Sequence, residues 1–210
     1  IAEGALGAVH AFHRRWDRYS PNPKQRWRER RLPGAGMMYD LGPHMIDQAL
    51  VLFGQPDWVE ADIRHVRVGA LVDDAFEIWL GFGGVRAMLG HSSLVVGGQP
   101  SFQIFGTDGT YQKLGLDPQE QQLFDGMVPT DAGFGVETEA AFGQLATSDG
   151  GQRAVPSSTG DWTAYYRQMA SALAGEGPVP VAPGEAMRVI EVIEAAFESH
   201  RRGVRVSLVD

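Results

Sequence analysis

The chain has 210 residues, 43% of them hydrophobic and 21% charged, which gives enough apolar content for a packed core and excludes a disordered chain. It contains no cysteine, so disulfides, thiolate nucleophiles and cysteine-based zinc sites are excluded, and a cytoplasmic location is expected. A net charge of −8 argues against nucleic acid as a partner, and no apolar run reaches the roughly 18 residues that would span a membrane, so no membrane contact is expected.

Residues 4–16 read as a strand, because Val9 and Ala11 alternate with His10 and Phe12. The stretch Arg14–Arg31 follows, with eight basic residues against Asp17 and Glu29. Its local charge of +6 leaves −14 on the remainder. It reads either as a solvated loop or as a patch facing a phosphate, an acidic substrate or another domain. Pro21, Pro23 and Pro33 mark most of it as loop. A helix follows, with Ile46, Ala49, Leu50 and Phe53 at helical spacing, Pro43 in its first turn, and Gly54 and Pro56 ending it.

From Asp57 to Lys113 the pattern changes to period two. Strands are predicted at Trp58–Val68, Ala75–Phe82, Val85–Val96, Ser101–Gly106 and Thr110–Lys113. Connections as short as Gly83-Gly84 join antiparallel neighbours, since parallel strands need long crossovers. A short helix is expected at Asp117–Phe124 and a long irregular connection at 126–158. Helices are expected at Asp161–Ala174 and Glu185–Arg202, with a closing strand at Val204–Leu208. Strands in a block with helices before and after indicate an α+β fold: an open, mostly antiparallel sheet with helices packed on one face.

The densest polar cluster is Asp40, His44 and Asp47. With Pro43 in the first turn, His44 would lie at a helix N-terminus, where the dipole disfavours imidazolium and leaves a base available. Asp40, or Asp47 on the same side, would orient it, which is what acid/base work on a hydroxyl requires. Two other readings stand beside this one: Asp40 as a plain helix cap with His44 on the surface, and all three residues as metal ligands. Neither the strand–helix G-x-G-x-x-G of dinucleotide sites nor a P-loop occurs. Ser92 and Ser93 beside His91 lie in a predicted strand, without the turn into a helix that an exposed nucleophile needs.

The segment GAGMMYDLGPHMIDQALVLFG at 34–54 resembles the hallmark helix of Gfo/Idh/MocA-type NAD(P)-dependent oxidoreductases. IAEGALGAVHAF at 1–12, RWRE at 26–29, FGTDGT at 105–110 and YYRQMASALAGEGP at 165–178 are also similar to members of that family. The resemblance implies a single α+β C-terminal domain over 1–210, belonging to an enzyme whose N-terminal Rossmann domain, with its Gly-rich fingerprint and E-K-P lysine, is absent from this chain. It implies NAD or NADP in the full-length enzyme, none bound to this chain alone, and a sugar, cyclitol or related polyol as substrate. It makes His44 the acid/base and Asp40 its companion, with no metal. It sets Arg15, Trp27 and Arg28 near the substrate cleft, beside which Asp47 is a further substrate-binding candidate from its helix spacing, and implies a homo-oligomer formed through the sheet. A non-catalytic ligand-binding or dimerisation module is the alternative.

Overall fold

The computed structural model of the chain describes residues 1–209. Nine strands form one sheet: β1 (Val9–Arg15), β2 (Trp58–Arg64), β3 (Ala75–Phe82), β4 (Val85–Ser92), β5 (Pro100–Gly106), β6 (Gly109–Leu114), β7 (Gly143–Thr147), β8 (Gln152–Val155) and β9 (Val206–Ser207). Their spatial order is β8-β7-β6-β5-β1-β4-β3-β2-β9. Every neighbouring pair is antiparallel except β1 with β4, so the expected open, mostly antiparallel sheet is what forms. The four helices are α1 (Met37–Phe53), α2 (Gln119–Phe124), α3 (Thr163–Leu173) and α4 (Pro183–Arg202).

The core lies between one sheet face and the pair α1 and α4. Phe12, Phe76, Ile78, Leu80 and Leu89 alternate inward along their strands and meet Met38, Met45 and Ile46 of α1 and Val192 and Ile193 of α4. All of these side chains are fully buried, and truncating one of the phenylalanines to Ala would cost about 3–5 kcal/mol. The opposite face, bearing His13, Arg15, Trp79, Met88 and Phe105, is left partly exposed. Among the described residues no helix is long and apolar enough to cross a membrane.

Several boundaries differ from the sequence reading. The first strand begins at Val9, not at residue 4, because Gly4 and Gly7 adopt positive φ in turns. β2 stops at Arg64 because the N–H groups of Val66 and Arg67 donate to the Asp74 carboxylate and not to a neighbouring strand. The connection at 126–158 contains the hairpin β7–β8 and one turn of 3-10 helix at Glu139–Ala141. Both strands are short, β8 at the sheet edge and β7 between it and β6, and of their side chains only Leu145 is a buried large apolar one, so little hydrophobic alternation is there to read.

The largest correction concerns α1, which starts at Met37, six residues before Pro43. Its start is set from outside the helix. Met38 N–H donates to Asp73 Oδ2 at 2.7 Å, and Met37 N–H donates to the Asp73 carbonyl. Gly36 turns the chain into the helix at φ 105°, and a Cβ there would lie 2.0 Å from Asp73 Oδ1. Pro43 therefore stands in the helix interior, where it lacks the N–H that would reach Tyr39 O. Gly42 before it has no Cβ to clash with the proline ring.

Candidate functional site

His44 is consequently in the middle of α1, and the argument from a first-turn dipole does not apply to it. What defines its surroundings is the sheet. His44 is exposed and lines a cavity of about 460 Å³ between α1 and the sheet, a size suited to a small-molecule ligand. Its ring packs against Trp16, which follows β1, with centroids 5.6 Å apart. Gln48, one turn further along α1, lines the same cavity.

The floor comes from alternate residues of β1, β5 and β6. Arg14, Phe102 and Lys113 point to the helix side of the sheet, as the register Arg14↔Phe102↔Lys113 requires. Arg14 Nε donates to Gln48 Oε1 at 2.8 Å and Nη1 to the Ser101 carbonyl at 3.1 Å. The guanidinium stacks 4.2 Å from the Phe102 ring centre and 5.4 Å from that of Trp16. Burial pushes its pKa down to about 10. Lys113 Nζ donates to both Glu137 oxygens at 2.7 and 2.8 Å and to the Ala141 carbonyl. The outer wall is Asp117, Pro118 and Glu120 around the start of α2, with Ser157, Ser158 and Trp162 ahead of α3. That wall is open: α3 itself buries no residue.

The residues singled out from the sequence separate into groups. Asp40 is one turn before His44, but its carboxylate accepts from Arg28 Nη1 at 3.0 Å and lies 3.9 Å from Arg18 Nη2. Arg28 thus joins the cluster through Asp40. Burial lowers the pKa of Arg18, with Asp40 opposing. Asp47 opens onto a different groove, beside Gln55, Glu185 and Arg188. Arg15 points to the far face of the sheet, where it pairs with Asp17 at 2.6 Å and Glu77 at 2.7 Å. Burial works against its charge, and those two carboxylates more than offset it, raising its pKa. Trp27 is 63% exposed on a single 3-10 turn, outside the cavity lining.

Arg14, Trp16, Gln48, Phe102, Lys113 and Trp162 were not assigned to a site by sequence reasoning. One signal was available: Asp40, His44 and Gln48 recur every four residues and share one face of a helix. Arg14 and Trp16 were visible only as members of the basic stretch. No group of three or more His, Asp or Glu side chains converges to hold a metal among the described residues.

A dinucleotide does not fit the residues present. Its pyrophosphate needs free backbone N–H groups at a helix start after a Gly-rich turn. In α1 the first N–H groups already go to Asp73, and α4 opens on Pro183, which has no N–H, with the Glu185 carboxylate in its first turn to repel a phosphate. Among the described residues the one parallel strand pair, β1 with β4, carries no such turn.

A family profile described as "Oxidoreductase family, C-terminal alpha/beta domain", that of the Gfo/Idh/MocA proteins, matches residues 1–208. Among similar curated proteins is the scyllo-inositol 2-dehydrogenase (NADP(+)) IolW of Bacillus subtilis (strain 168), 37% identical over 204 residues. The match covers 96% of this chain and 57% of that protein. The oxidoreductase YdgJ of Escherichia coli (strain K12) is 36% identical over 99% of this chain and 60% of its own. Among solved structures, the Bacillus subtilis protein yvaA superposes with a TM-score of 0.93 at 36% identity, covering all of this chain and 61% of that one. The Yersinia pestis protein YPO2259 gives 0.91 at 34%, covering all of this chain and 59% of its own. The chain thus spans about three-fifths of the length of these relatives.

Proposed function

The chain belongs to the Gfo/Idh/MocA oxidoreductase family, as its C-terminal α/β domain, and from that premise we propose that it forms the substrate side of an NAD(P)-dependent dehydrogenase acting on a sugar, cyclitol or related polyol. Bound NAD or NADP would supply hydride chemistry at the substrate carbon, and residues other than those described for this chain would hold it. The relative named for scyllo-inositol and NADP(+) supports this substrate class and favours NADP.

The observation that carries the reading is His44, exposed at a cavity of ligand size and free of any hydrogen bond within the described residues. An imidazole so placed can accept a hydroxyl proton as an alcohol is oxidised and return it in reduction. Trp16 fixes the ring from one side. Asp40 stands one turn before His44 on the same helix face, held by Arg28. Gln48 and the two serines at 157–158 offer neutral hydrogen-bonding groups suited to hydroxyls.

The test is His44→Ala in the full-length protein carrying this chain, with NADP+ and a panel of inositols and sugars. kcat should fall about 10²–10⁴-fold with the KM for NADP+ unchanged. Turnover near that of the wild type removes His44 from the role. Binding of polyols without turnover by the wild-type protein favours the non-catalytic module.

The uncovered sheet face supports the further proposal that copies of the protein associate through it. Trp79 and Met88 lie directly opposite each other there, and Trp79 is 37% exposed.

A further inference from the structure

Arg14 is unusual among the charged groups of the sheet. It is 2% exposed, yet among the described residues it makes no ion pair. Its neighbours are a carboxamide, two carbonyls and two aromatic rings. Burial alone shifts its titration, and among the described residues no carboxylate oxygen lies within 4.0 Å of its nitrogens. Other deeply buried cations are matched: Arg67 by Asp74 and Glu29, Lys113 by Glu137. Burying a charge without a counter-ion is costly, and proteins keep one where a ligand supplies the partner.

The hydrogen-bond pattern shows where the partner belongs. Nε and Nη1 are used, while Nη2 donates to nothing among the described residues. Among the described residues no fully enclosed side-chain polar atom lacks a partner, so Nη2 is not fully enclosed, and Arg14 lines the cavity beside His44. The guanidinium is held in place by Phe102, Trp16 and Gln48 and leaves Nη2 unpaired on a side chain that lines the cavity.

We propose that this cavity takes a polyol carrying a carboxylate, a sugar acid, whose carboxylate docks on Arg14 while a hydroxyl faces His44. This rests on the dehydrogenase reading for the identity of the site. A carboxylate fits better than a phosphate. One unmatched cation balances one negative charge, because Lys113 is neutralised by Glu137, and Asp117 and Glu120 on the outer wall would repel a dianion. This also gives the basic stretch at 14–31 an acidic substrate to face through one of its members.

The experiment compares matched ligands by calorimetry on the full-length protein: D-gluconate against D-glucitol, and D-galactonate against galactitol. Each pair differs only in a carboxylate against a hydroxymethyl group. The acid should bind at least about tenfold tighter in one or both pairs. Arg14→Met should abolish that preference, and Arg14→Lys should keep part of it, with thermal melts confirming folding. Equal affinities within both pairs, binding by none of the four, or a preference that survives in Arg14→Met overturns the proposal. If Arg14→Met does not fold, the wild-type comparison and Arg14→Lys still decide. Inorganic phosphate displacing gluconate in the micromolar range would overturn the choice of carboxylate. Failure here with His44-dependent oxidation of a neutral polyol intact sinks only the carboxylate site. An Arg14-dependent preference without any NAD(P)-linked turnover sinks the dehydrogenase reading instead.

Discussion

Arg28 Nη1 donates to Asp40 Oδ1 at 3.0 Å, so the carboxylate one helical turn ahead of His44 is held by a guanidinium from the preceding loop and not by the imidazole. Arg28 is therefore a positioning residue for Asp40. The pair is partly exposed, and such pairs contribute about 0–1 kcal/mol to stability.

Arg28→Ala should accordingly lower the melting temperature by no more than about 4 °C. It should lower kcat about tenfold with a smaller effect on KM, if the placement of Asp40 one turn from His44 matters to the reacting step and not to ground-state binding. Arg28→Lys should restore part of kcat. A fall in KM affinity alone, with kcat intact, would place Arg28 in ground-state binding.

Arg67 anchors a buried network that fixes the loop beneath this cluster. It pairs with Asp74 at 2.7 Å and Glu29 at 3.2 Å, all three buried. Arg67→Met leaves Asp74, with no exposure at all, without a cation and held only by the Val66 and Arg67 N–H groups, and should cost about 3–5 kcal/mol in urea unfolding. A loss below about 1 kcal/mol would show that water replaces the guanidinium.

Asp161 supplies the pH-dependent contact at the start of α3. Its hydrogen bond from Arg167, then that from Thr163, lowers its pKa from the ordinary 3.8 to about 2. Because the folded value is depressed, the contribution is fully present above pH 3.8 and is lost as pH falls through about 2. Carboxyl resonances should show Asp161 titrating near pH 2 in the wild type and nearer 3.8 in Arg167→Met. A wild-type midpoint near 3.8 would show that the pair does not persist in solution.

Trp79→Glu adds a charge at the centre of the uncovered sheet face. If copies meet there, sedimentation should show the assembly weakened by at least about tenfold, with the melting temperature of the monomer little changed. Unchanged assembly would place the contact elsewhere.

Local physics made much of this protein legible in its sequence. Period-two runs separated by Gly and Asp determine β3 from end to end and the antiparallel pairings β2–β3, β3–β4 and β5–β6, but the Gly97-Gly98 link does not join neighbours, because β1 inserts between β4 and β5. The apolar stripe ending at Gly203 determines α4. The spacing Asp40–His44 puts both residues on one helix face whatever surrounds them. Only the tertiary structure decided where α1 begins, because its cap is Asp73, more than thirty residues away in sequence. It decided that Arg14 faces the cavity while Arg15 faces away, because alternation assigns faces only once the register with β4 and β5 is fixed. It also decided which acids meet which bases: Asp40 takes Arg28, Arg15 takes Asp17 and Glu77, and Arg14 takes none among the described residues. Charge pairing depends on distances of a few ångströms, and those are set by how the sheet folds against α1, not by order along the chain.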